Sequence, residues 1–153
     1  MNTEATSGKT GNFKVVETLD ELIQVFMVRA IVFIEEQNVP FAEEMDAFEY
    51  GSVHILGQSD GEPMAAGRIR FLGETAKLER ICVRKAWRGR HLGHALVDFM
   101  MDRARERGIK KFKMHAQAHL TDFYGGHGFK ATGPLFYEAN IPHYLMTKEE
   151  FSL

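Results

Sequence analysis

The chain has 153 residues, a length typical of one domain, and it is long enough to bury a continuous core without disulfides or metal ions. A 44% hydrophobic and 26% charged composition indicates a globular protein, and the net charge of −2 argues against a dedicated nucleic-acid binder. The single cysteine excludes an internal disulfide and favours a reducing, cytoplasmic compartment. No apolar run approaches the roughly 20 residues of a membrane helix. Small polar residues predict a disordered tail over 1–11, without a signal peptide, before a single domain over 12–153.

The first half of the chain predicts a strand, a helix and an antiparallel meander. Residues 12–17 favour a β-strand, and residues 18–21 (TLDE) have the T-x-x-E form of a helix capping box. Apolar residues at helical spacing then predict a helix over 19–34. Residues 37–50 are acidic and aperiodic, which indicates a loop with room for a helical turn. Strands joined by tight turns are expected at 52–58, 63–72 and 75–84.

The second half predicts a crossover followed by further strands. An apolar stripe that begins at Leu92 and ends at arginines before Gly108 predicts a helix. Residues 109–116 alternate in polarity, so the segment 75–116 is expected to be a β-α-β crossover between parallel strands. A short helix is expected at about 120–126, and closing strands at 129–133 and 143–148. The predicted order is β-α-β-β-β-α-β-α-β-β, a mixed α/β fold.

The segment that joins the third meander strand to this helix contains WRGRHLG at residues 87–93 and has the features of an anion site. A helix N-terminus has unpaired N–H groups and a positive dipole end, and glycines let a ligand approach the backbone. Arg88 and Arg90 add charge that favours a phosphate, although a surface loop with solvated arginines has the same composition. The Walker pattern and the three-glycine dinucleotide fingerprint are absent, so an NAD or nucleotide-hydrolysing site is poorly supported.

A strand and this loop together carry a recognisable motif. Residues 78–83 (LERICV) are followed, after four residues, by 88–93 (RGRHLG). This arrangement resembles the acetyl-CoA motif [RQ]-x-x-G-x-[GA] of the GNAT superfamily of N-acetyltransferases, and the resemblance covers residues 13–148. Further pieces occur in order: VR at 28–29, VFIEEQNVP at 32–40, EMD at 44–46, His54, FY at 123–124, GF at 128–129 and IPH at 141–143. In these pieces the chain is most similar to the ElaA/YjcF-like subgroup.

The resemblance implies a GNAT fold, with a mixed central sheet of about six or seven strands and three or four helices, that uses acetyl-CoA as co-substrate. It assigns acetyl-CoA binding to Ile81, Cys82, Val83, Arg88, Gly89, Arg90, His91, Leu92, Gly93, His94 and Phe123. His91 stands at the middle glycine of the family motif. A histidine is strained there if φ is positive and is tolerated in the right-handed helical conformation, which a position at the start of a helix favours.

Direct acetyl transfer from the thioester to an amine requires an oxyanion donor and a proton for the leaving thiolate. The resemblance implies that the Tyr124 hydroxyl faces the CoA sulfur and that the backbone N–H of Val83 binds the oxyanion. Cys82, the single cysteine of the chain, is a candidate nucleophile, but a mid-strand cysteine is more typical of a core.

The amine must also lose a proton, since an alkylamine with a pKa near 10 is charged at pH 7. Glu79 is the leading candidate base because it is expected to share a strand face with Ile81 and Val83 and to act through water. The alternative is a structural ion pair between Glu79 and Arg68 or Arg70.

His54, His143 and Glu36 compete with Glu79 for the role of base, since they match the subgroup pattern. The predicted acceptor-binding residues are Arg29, Glu36, His54, Arg80 and His143. An acidic stretch would favour a cationic amine; its members are Glu35, Glu36, Glu43, Glu44, Asp46 and Glu49. His115 and His119 do not share a helix face, so no metal site is expected.

The predicted function is therefore an acetyl-CoA-dependent N-acetyltransferase acting on a small-molecule or peptide amine. No nucleic-acid or membrane partner is expected, and the resemblance allows a homodimer. Three alternatives stay open: a non-catalytic acyl-CoA sensor, a transferase with another acyl-CoA donor, and a nucleotide-binding regulator.

Overall fold

A computed structural model describes residues 11–151. The strands in this range are β1 (Asn12–Val15), β2 (Val53–Ser59), β3 (Glu62–Leu72), β4 (Thr75–Val83), β5 (Lys111–Gln117), β6 (Lys130–Glu138) and β7 (Ile141–Glu149). The α-helices are α1 (Leu19–Arg29), α2 (Phe41–Glu44), α3 (Leu92–Arg105) and α4 (Thr121–Gly125). The disordered tail predicted for 1–11 lies outside the described residues, apart from Gly11.

The strands form one mixed sheet in the order β1-β2-β3-β4-β5-β7-β6. β4 and β5 are parallel, and all other neighbours in this sheet are antiparallel. α3 connects the two parallel strands, as the β-α-β pattern over 75–116 predicts. The predicted fold class and element order are confirmed, and α2 lies in the loop that had room for a helical turn.

The first helix begins as predicted and changes its hydrogen bonding before it ends. Thr18 Oγ1 accepts from the Glu21 N–H at 3.1 Å, and Glu21 Oε1 accepts from the Thr18 N–H at 3.2 Å, so the capping box is present. After α1 the chain continues as a π-helix over Ala30–Glu36, where the Gln37 N–H donates to the Val32 carbonyl five residues earlier. The predicted helix over 19–34 is therefore two hydrogen-bonding segments that together reach residue 36.

The last two strands are longer than the predicted 129–133 and 143–148. Pro134 lies where the β6–β7 register shifts, and β6 is an edge strand, where a proline need not interrupt pairing. The strands meet at Ala139 and Asn140, whose φ angles of 50° and 62° form a two-residue hairpin turn. This turn fixes the end of β6 directly beside the start of β7.

Two apolar layers cover the sheet. α3 packs its apolar stripe on one face, over β3, β4 and β5. α1 and the π-helix cover the other face, where the buried contacts involve Val25, Val28, Val32, Leu56, Ala66 and Cys82. β4 and β5 therefore lie between α3 on one face of the sheet and α1 with the π-helix on the other.

Two arginines are buried on the α1 side of the sheet, with Arg29 0% and Arg68 1% exposed. Arg29 Nε donates to Glu44 Oε2 at 2.8 Å, and its terminal nitrogens donate to both oxygens of Glu49 at 2.7 and 2.8 Å. Arg68 donates to both oxygens of Asp46 at 2.9 Å. Burial removes water from these charged groups, and the hydrogen bonds with their partners compensate for the lost hydration. The pairs therefore hold the loop after α2 against the sheet.

Replacing Arg29 with methionine should decrease the free energy of unfolding by about 3–5 kcal/mol, because Glu44 and Glu49 lose a buried cation. Urea denaturation measures this change. The control is Glu62→Gln, which removes a pair with Arg84 in which the glutamate side chain is 51% exposed, and it should cost less than about 1 kcal/mol. Equal losses in the two variants would contradict a structural role for the buried network.

Candidate active site

β4 and β5 pair only near one end and then separate. Their register runs from Thr75–Lys111 to Lys77–Lys113, whereas both strands continue for several more residues. Beyond Lys77 and Lys113 the facing edges leave backbone N–H and C=O groups directed into a shared gap. An extended ligand with amide groups fits such a gap because it pairs with the strand edges as another strand does.

A β-bulge at Arg80 reorients β4 where it leaves β5. Arg80 has a φ of 55°, and the register with β3 passes from Ala66–Cys82 to Arg68–Glu79, so β4 contains one extra residue. An extra residue exchanges the faces of the side chains that follow it. The simple alternation assumed for residues 75–84 therefore fails at this point.

The bulge separates Glu79 from Ile81 and Val83, and the prediction that they share a face is wrong. Ile81 and Val83 pack on the α3 side, whereas Glu79 accepts from Arg68 Nη2 at 2.6 Å and lies 3.0 Å from Lys77 Nζ. Burial by itself would raise the pKa of Glu79, but the charge and hydrogen bond of Arg68 outweigh it, so this pKa lies below its ordinary value. Glu79 thus forms the structural ion pair with Arg68 that was the alternative to a role as base. Its lowered pKa makes it a weaker proton acceptor.

Val83 presents its backbone N–H to the gap. The Arg84 N–H donates to the Met64 carbonyl of β3 at 2.8 Å, and successive N–H groups of a strand point to opposite edges. The Val83 N–H therefore points away from β3, which is the direction that an oxyanion donor needs. Its role as that donor stays a prediction.

Cys82 is a core residue. Its side chain packs on the α1 side and the residue is 6% exposed. Burial raises the pKa of the Cys82 thiol to about 12, so the thiol stays protonated at neutral pH. This state opposes a nucleophilic role.

The loop before α3 presents a row of unpaired backbone donors. The N–H groups of residues 89–94 donate to no carbonyl within 11–151, and the first bond of this turn runs from the Ala95 N–H to the His91 carbonyl at 3.1 Å. Gly89 has a φ of 81°, which favours glycine. The side chain of Leu92 is buried in the core, so only its backbone faces the loop. Consecutive free N–H groups at a helix N-terminus form an anion site.

His91 adopts the left-handed conformation, with φ 62° and ψ 15°, so the prediction of a right-handed helical residue is wrong. The helix begins one residue later, at Leu92, and His91 is its N-cap without a side-chain capping bond. Histidine is among the residues that enter this region more often than most, which makes the substitution for glycine possible at some cost.

Arg88 is held by other groups and is not directed at the loop. Its terminal nitrogens donate to both oxygens of Glu36 at 2.6 and 2.7 Å, and its Nε donates to the Val83 carbonyl at 2.8 Å. Glu36 is therefore engaged by Arg88, and its role at the acceptor stays a prediction. Arg90 is exposed and has no ion pair within the described range, so it is the loop arginine available to an anion.

α4 places Phe123 and Tyr124 between the loop and the gap. The Phe123 ring stacks on His94 at a centroid distance of 4.3 Å, and a Cβ atom at Gly93 would lie 3.2 Å from Phe123, which explains a small residue there. His94 Nδ1 lies 2.8 Å from His127 Nε2, a contact that the sequence analysis missed. The His94 side chain is therefore engaged within the protein, and its backbone N–H faces the loop.

A cavity of about 480 Å³ opens at the β4–β5 gap. The predicted site residues that line it are Glu79, Arg80, Ile81, Tyr124 and His143. Tyr124 is 5% exposed, and its hydroxyl has no hydrogen-bond partner among residues 11–151. Burial raises the pKa of this phenol, so it remains a proton donor through neutral and mildly alkaline pH.

Arg29 and His54 do not line the cavity, and their assignment to the acceptor site stays a prediction. Arg29 is buried in its carboxylate pairs, and His54 Nε2 donates to the Glu49 carbonyl at 2.8 Å. Burial lowers the pKa of His54, which keeps the ring neutral. Arg80 lines the cavity but also donates to the Glu44 carbonyl at 2.9 Å, so it ties the bulge to the loop after α2.

The predicted acidic stretch is largely neutralised by arginines. Glu36 pairs with Arg88, Asp46 with Arg68, and Glu44 and Glu49 with Arg29. Glu43 is the member of the stretch that lines the cavity without such a pair in the described part of the chain. The stretch is therefore not the negative surface that its composition suggested, since spacing along the sequence does not reveal the partners of each carboxylate.

Glu138 and its partner His115 are cavity residues that no sequence motif predicted. Glu138 Oε2 accepts from His115 Nδ1 at 2.8 Å, and both residues line the cavity with His143. Glu138 ends an exposed edge strand and belongs to no motif, so no local signal distinguished it. Its position depends on the hairpin turn and on β5 lying beside β7.

Comparison with known proteins identifies the family of this chain. Residues 27–150 match the family described as Acetyltransferase (GNAT) domain. The chain belongs to the GNAT superfamily. The N-acetyltransferase YjcF of Bacillus subtilis is 37% identical over 85% of this chain and 94% of its own length. The crystal structure of Escherichia coli ElaA superposes with a TM-score of 0.79, at 25% identity over 92% of this chain and all of its own.

These matches support the ElaA/YjcF-like subgroup predicted from the sequence, and this GNAT protein is an acyltransferase enzyme. An acyl-CoA N-acyltransferase structure from Pseudomonas aeruginosa, 29% identical over 90% of this chain and 97% of its own, superposes with a TM-score of 0.81. The family supports acyl-CoA-dependent N-acyl transfer. In residues 11–151 no helix has the length and apolar character to cross a membrane, and no group of three metal-binding side chains converges.

The left-handed conformation of His91 predicts opposite responses to glycine at two neighbouring histidines. His91→Gly should be more stable than His91→Ala by roughly 0.5–1 kcal/mol, since alanine keeps the Cβ strain. His94→Gly should be less stable than His94→Ala by a similar amount, roughly 0.5–1 kcal/mol, because residue 94 is helical. Urea denaturation of the four variants measures both differences. The same sign at both positions would contradict the assigned backbone conformations.

Proposed function

We propose that this GNAT enzyme transfers an acetyl group from acetyl-CoA to a primary amine of a small molecule or peptide. The observation that carries the proposal is the succession of free N–H groups at 89–94, the β4–β5 gap and the cavity beneath Tyr124. Coenzyme A has a matching succession of groups: a pyrophosphate, an extended arm with two amides, and a thiol. The name of the P. aeruginosa relative adds support for an acyl-CoA donor.

The phosphates and the extended arm of the donor each match one feature of the chain. Free N–H groups of residues 89–94 suit the pyrophosphate, and Arg90 adds a cation at the same loop. The edge of β4 around Ile81 and Val83 suits the amide groups of the arm, because this edge is not paired to β5. Arg88 contributes indirectly, since its pair with Glu36 and its bond to the Val83 carbonyl brace the edge.

In the proposed reaction the neutral amine attacks the thioester carbonyl carbon, and the carbon–sulfur bond then breaks. The Val83 N–H stabilises the negative oxygen that forms during attack, an interaction that strengthens as charge develops. Tyr124 donates its phenolic proton to the departing sulfur. The free Tyr124 hydroxyl on the cavity wall and the raised pKa that keeps it protonated support this assignment.

The first test is thermal unfolding with and without acetyl-CoA, beside ATP and NAD. Acetyl-CoA at 100 times its Kd should add about 2.7 kcal/mol, a shift of roughly 5–10 °C for a domain of this size. Arg90→Ala should reduce this shift, whereas Arg107→Ala, an exposed arginine at the other end of α3, should keep it. An equal shift with ATP would favour the nucleotide-binding alternative over a coenzyme A site.

The second test is Tyr124→Phe, which should lower kcat by about 10²- to 10⁴-fold and leave the Kd of acetyl-CoA unchanged. The change removes one proton donor and preserves the buried ring, so steady-state kinetics and the thermal shift together separate catalysis from binding. Tyr137→Phe is the matched control, because Tyr137 is 68% exposed on β6 and should retain full activity. An unchanged kcat in Tyr124→Phe would overturn the assignment of the acid.

A further inference from the structure

The β6–β7 hairpin brings a carboxylate between two histidines at the wall of the cavity. Glu138 accepts from His115 Nδ1 at 2.8 Å through Oε2, while its other oxygen, Oε1, lies 3.9 Å from His143 Nε2. His143 is 7% exposed, and Phe136 stacks on its ring at a centroid distance of 5.8 Å. The hairpin turn at residues 139–140 holds the carboxylate and the ring on adjacent strands.

A hydrogen bond determines which nitrogen of His143 accepts a proton. Nδ1 lies 2.6 Å from the Ile141 carbonyl, and a carbonyl oxygen only accepts, so Nδ1 carries the hydrogen in the neutral ring. Nε2 therefore carries the lone pair. Within the described residues Nε2 has no hydrogen-bond partner, and the Glu138 carboxylate, 3.9 Å away, is beyond hydrogen-bond distance. His143, which lines the cavity, thus has a basic nitrogen that accepts no hydrogen bond from the described residues.

Glu138 supplies negative charge at the same place. The hydrogen bond from His115 lowers the pKa of Glu138 although burial opposes this, so the carboxylate is ionised at neutral pH. Lys77, on β4, is 3.0 Å from Glu79 and is largely compensated by it. The titratable groups that line the cavity with His143 include Glu138, His115, Lys77 and Tyr124.

We propose that Glu138 binds the ammonium group of the acceptor and that His143 Nε2 removes its proton. The acceptors of this enzyme are then amines that are cationic in water, recognised at the β6–β7 hairpin and not at the neutralised acidic stretch. This assignment rests on the proposed acetyl transfer and specifies the residues that bind and deprotonate the acceptor amine. His115 is a positioning residue, since it orients Glu138 and does not touch the amine.

The proton balance follows from this assignment. The ammonium gives one proton to His143, which releases it to solvent, and the resulting amine forms the carbon–nitrogen bond. As the carbon–sulfur bond breaks, the sulfur takes the Tyr124 proton, and the second proton lost by the nitrogen restores the phenol. The products are an amide, a thiol and one proton in solution.

The test is a pH profile of kcat/KM with acetyl-CoA and n-butylamine for the natural protein, His143→Gln and Glu138→Gln. His143→Gln should lower kcat/KM by about 10²- to 10³-fold at pH 7, and the defect should shrink as the pH approaches the amine pKa near 10, where the amine deprotonates by itself. Glu138→Gln should raise the KM of n-butylamine at least about tenfold, since a hydrogen-bonded charge pair is lost.

Two controls separate this role from a structural one. His119→Gln removes an exposed histidine outside the cavity and should change neither constant nor the profile. An arylamine, which is uncharged at neutral pH, should be affected little by Glu138→Gln. A His143→Gln defect that is below threefold, or that is the same at every pH, would overturn the proposal.

A binding measurement distinguishes failure of the proposal from failure of acetyl transfer. n-Butylammonium should shift the imidazole ¹⁵N resonances of His143 in the natural protein and not in Glu138→Gln, whether or not turnover occurs. Such a shift without any acetylation would support the ammonium-binding site and reject the proposed reaction. Acetylation of n-butylamine without any shift would reject the site and keep the reaction.

Discussion

The separation of β4 from β5 is the constraint on which the rest of the site depends. Parallel pairing ends after three residue pairs, and the bulge at Arg80 turns the remainder of β4 so that Ile81 and Val83 face the α3 side. A sheet that stayed paired would have no edge for a ligand and no cavity at its centre. The short α4 and the β6–β7 hairpin contribute because they line the cavity at this opening.

Buried arginines stabilise the opening and give the nearby carboxylates a structural role. Arg29 and Arg68 bind the acidic loop after α2, and Arg68 also binds Glu79 at the bulge. The same pairing that holds the loop on the sheet lowers the proton affinity of Glu79. A carboxylate in this network is therefore part of the scaffold, whereas Glu138, which two histidines flank, keeps a charge at the cavity.

Three groups of residues around the β4–β5 gap carry the proposed reaction. The loop before α3 has backbone donors and Arg90, which suit phosphates. The Val83 N–H and the Tyr124 hydroxyl suit the developing charges of acyl transfer. The cavity wall at the β6–β7 hairpin has the Glu138 carboxylate and the His143 ring. The first two groups serve the proposed acyl-CoA donor, and the third serves the proposed acceptor.

Local patterns in the sequence predicted the order of elements, the capping box at Thr18 and the loop before α3, because periodicity and capping are properties of neighbouring residues. Resemblance to a family pattern also indicated Tyr124 and His143. The face of Glu79, the backbone conformation of His91 and the partners of Arg29 emerged from the folded structure alone. One bulge residue reverses a strand face, and a buried charge finds its partner in space, so neither follows from spacing along the chain.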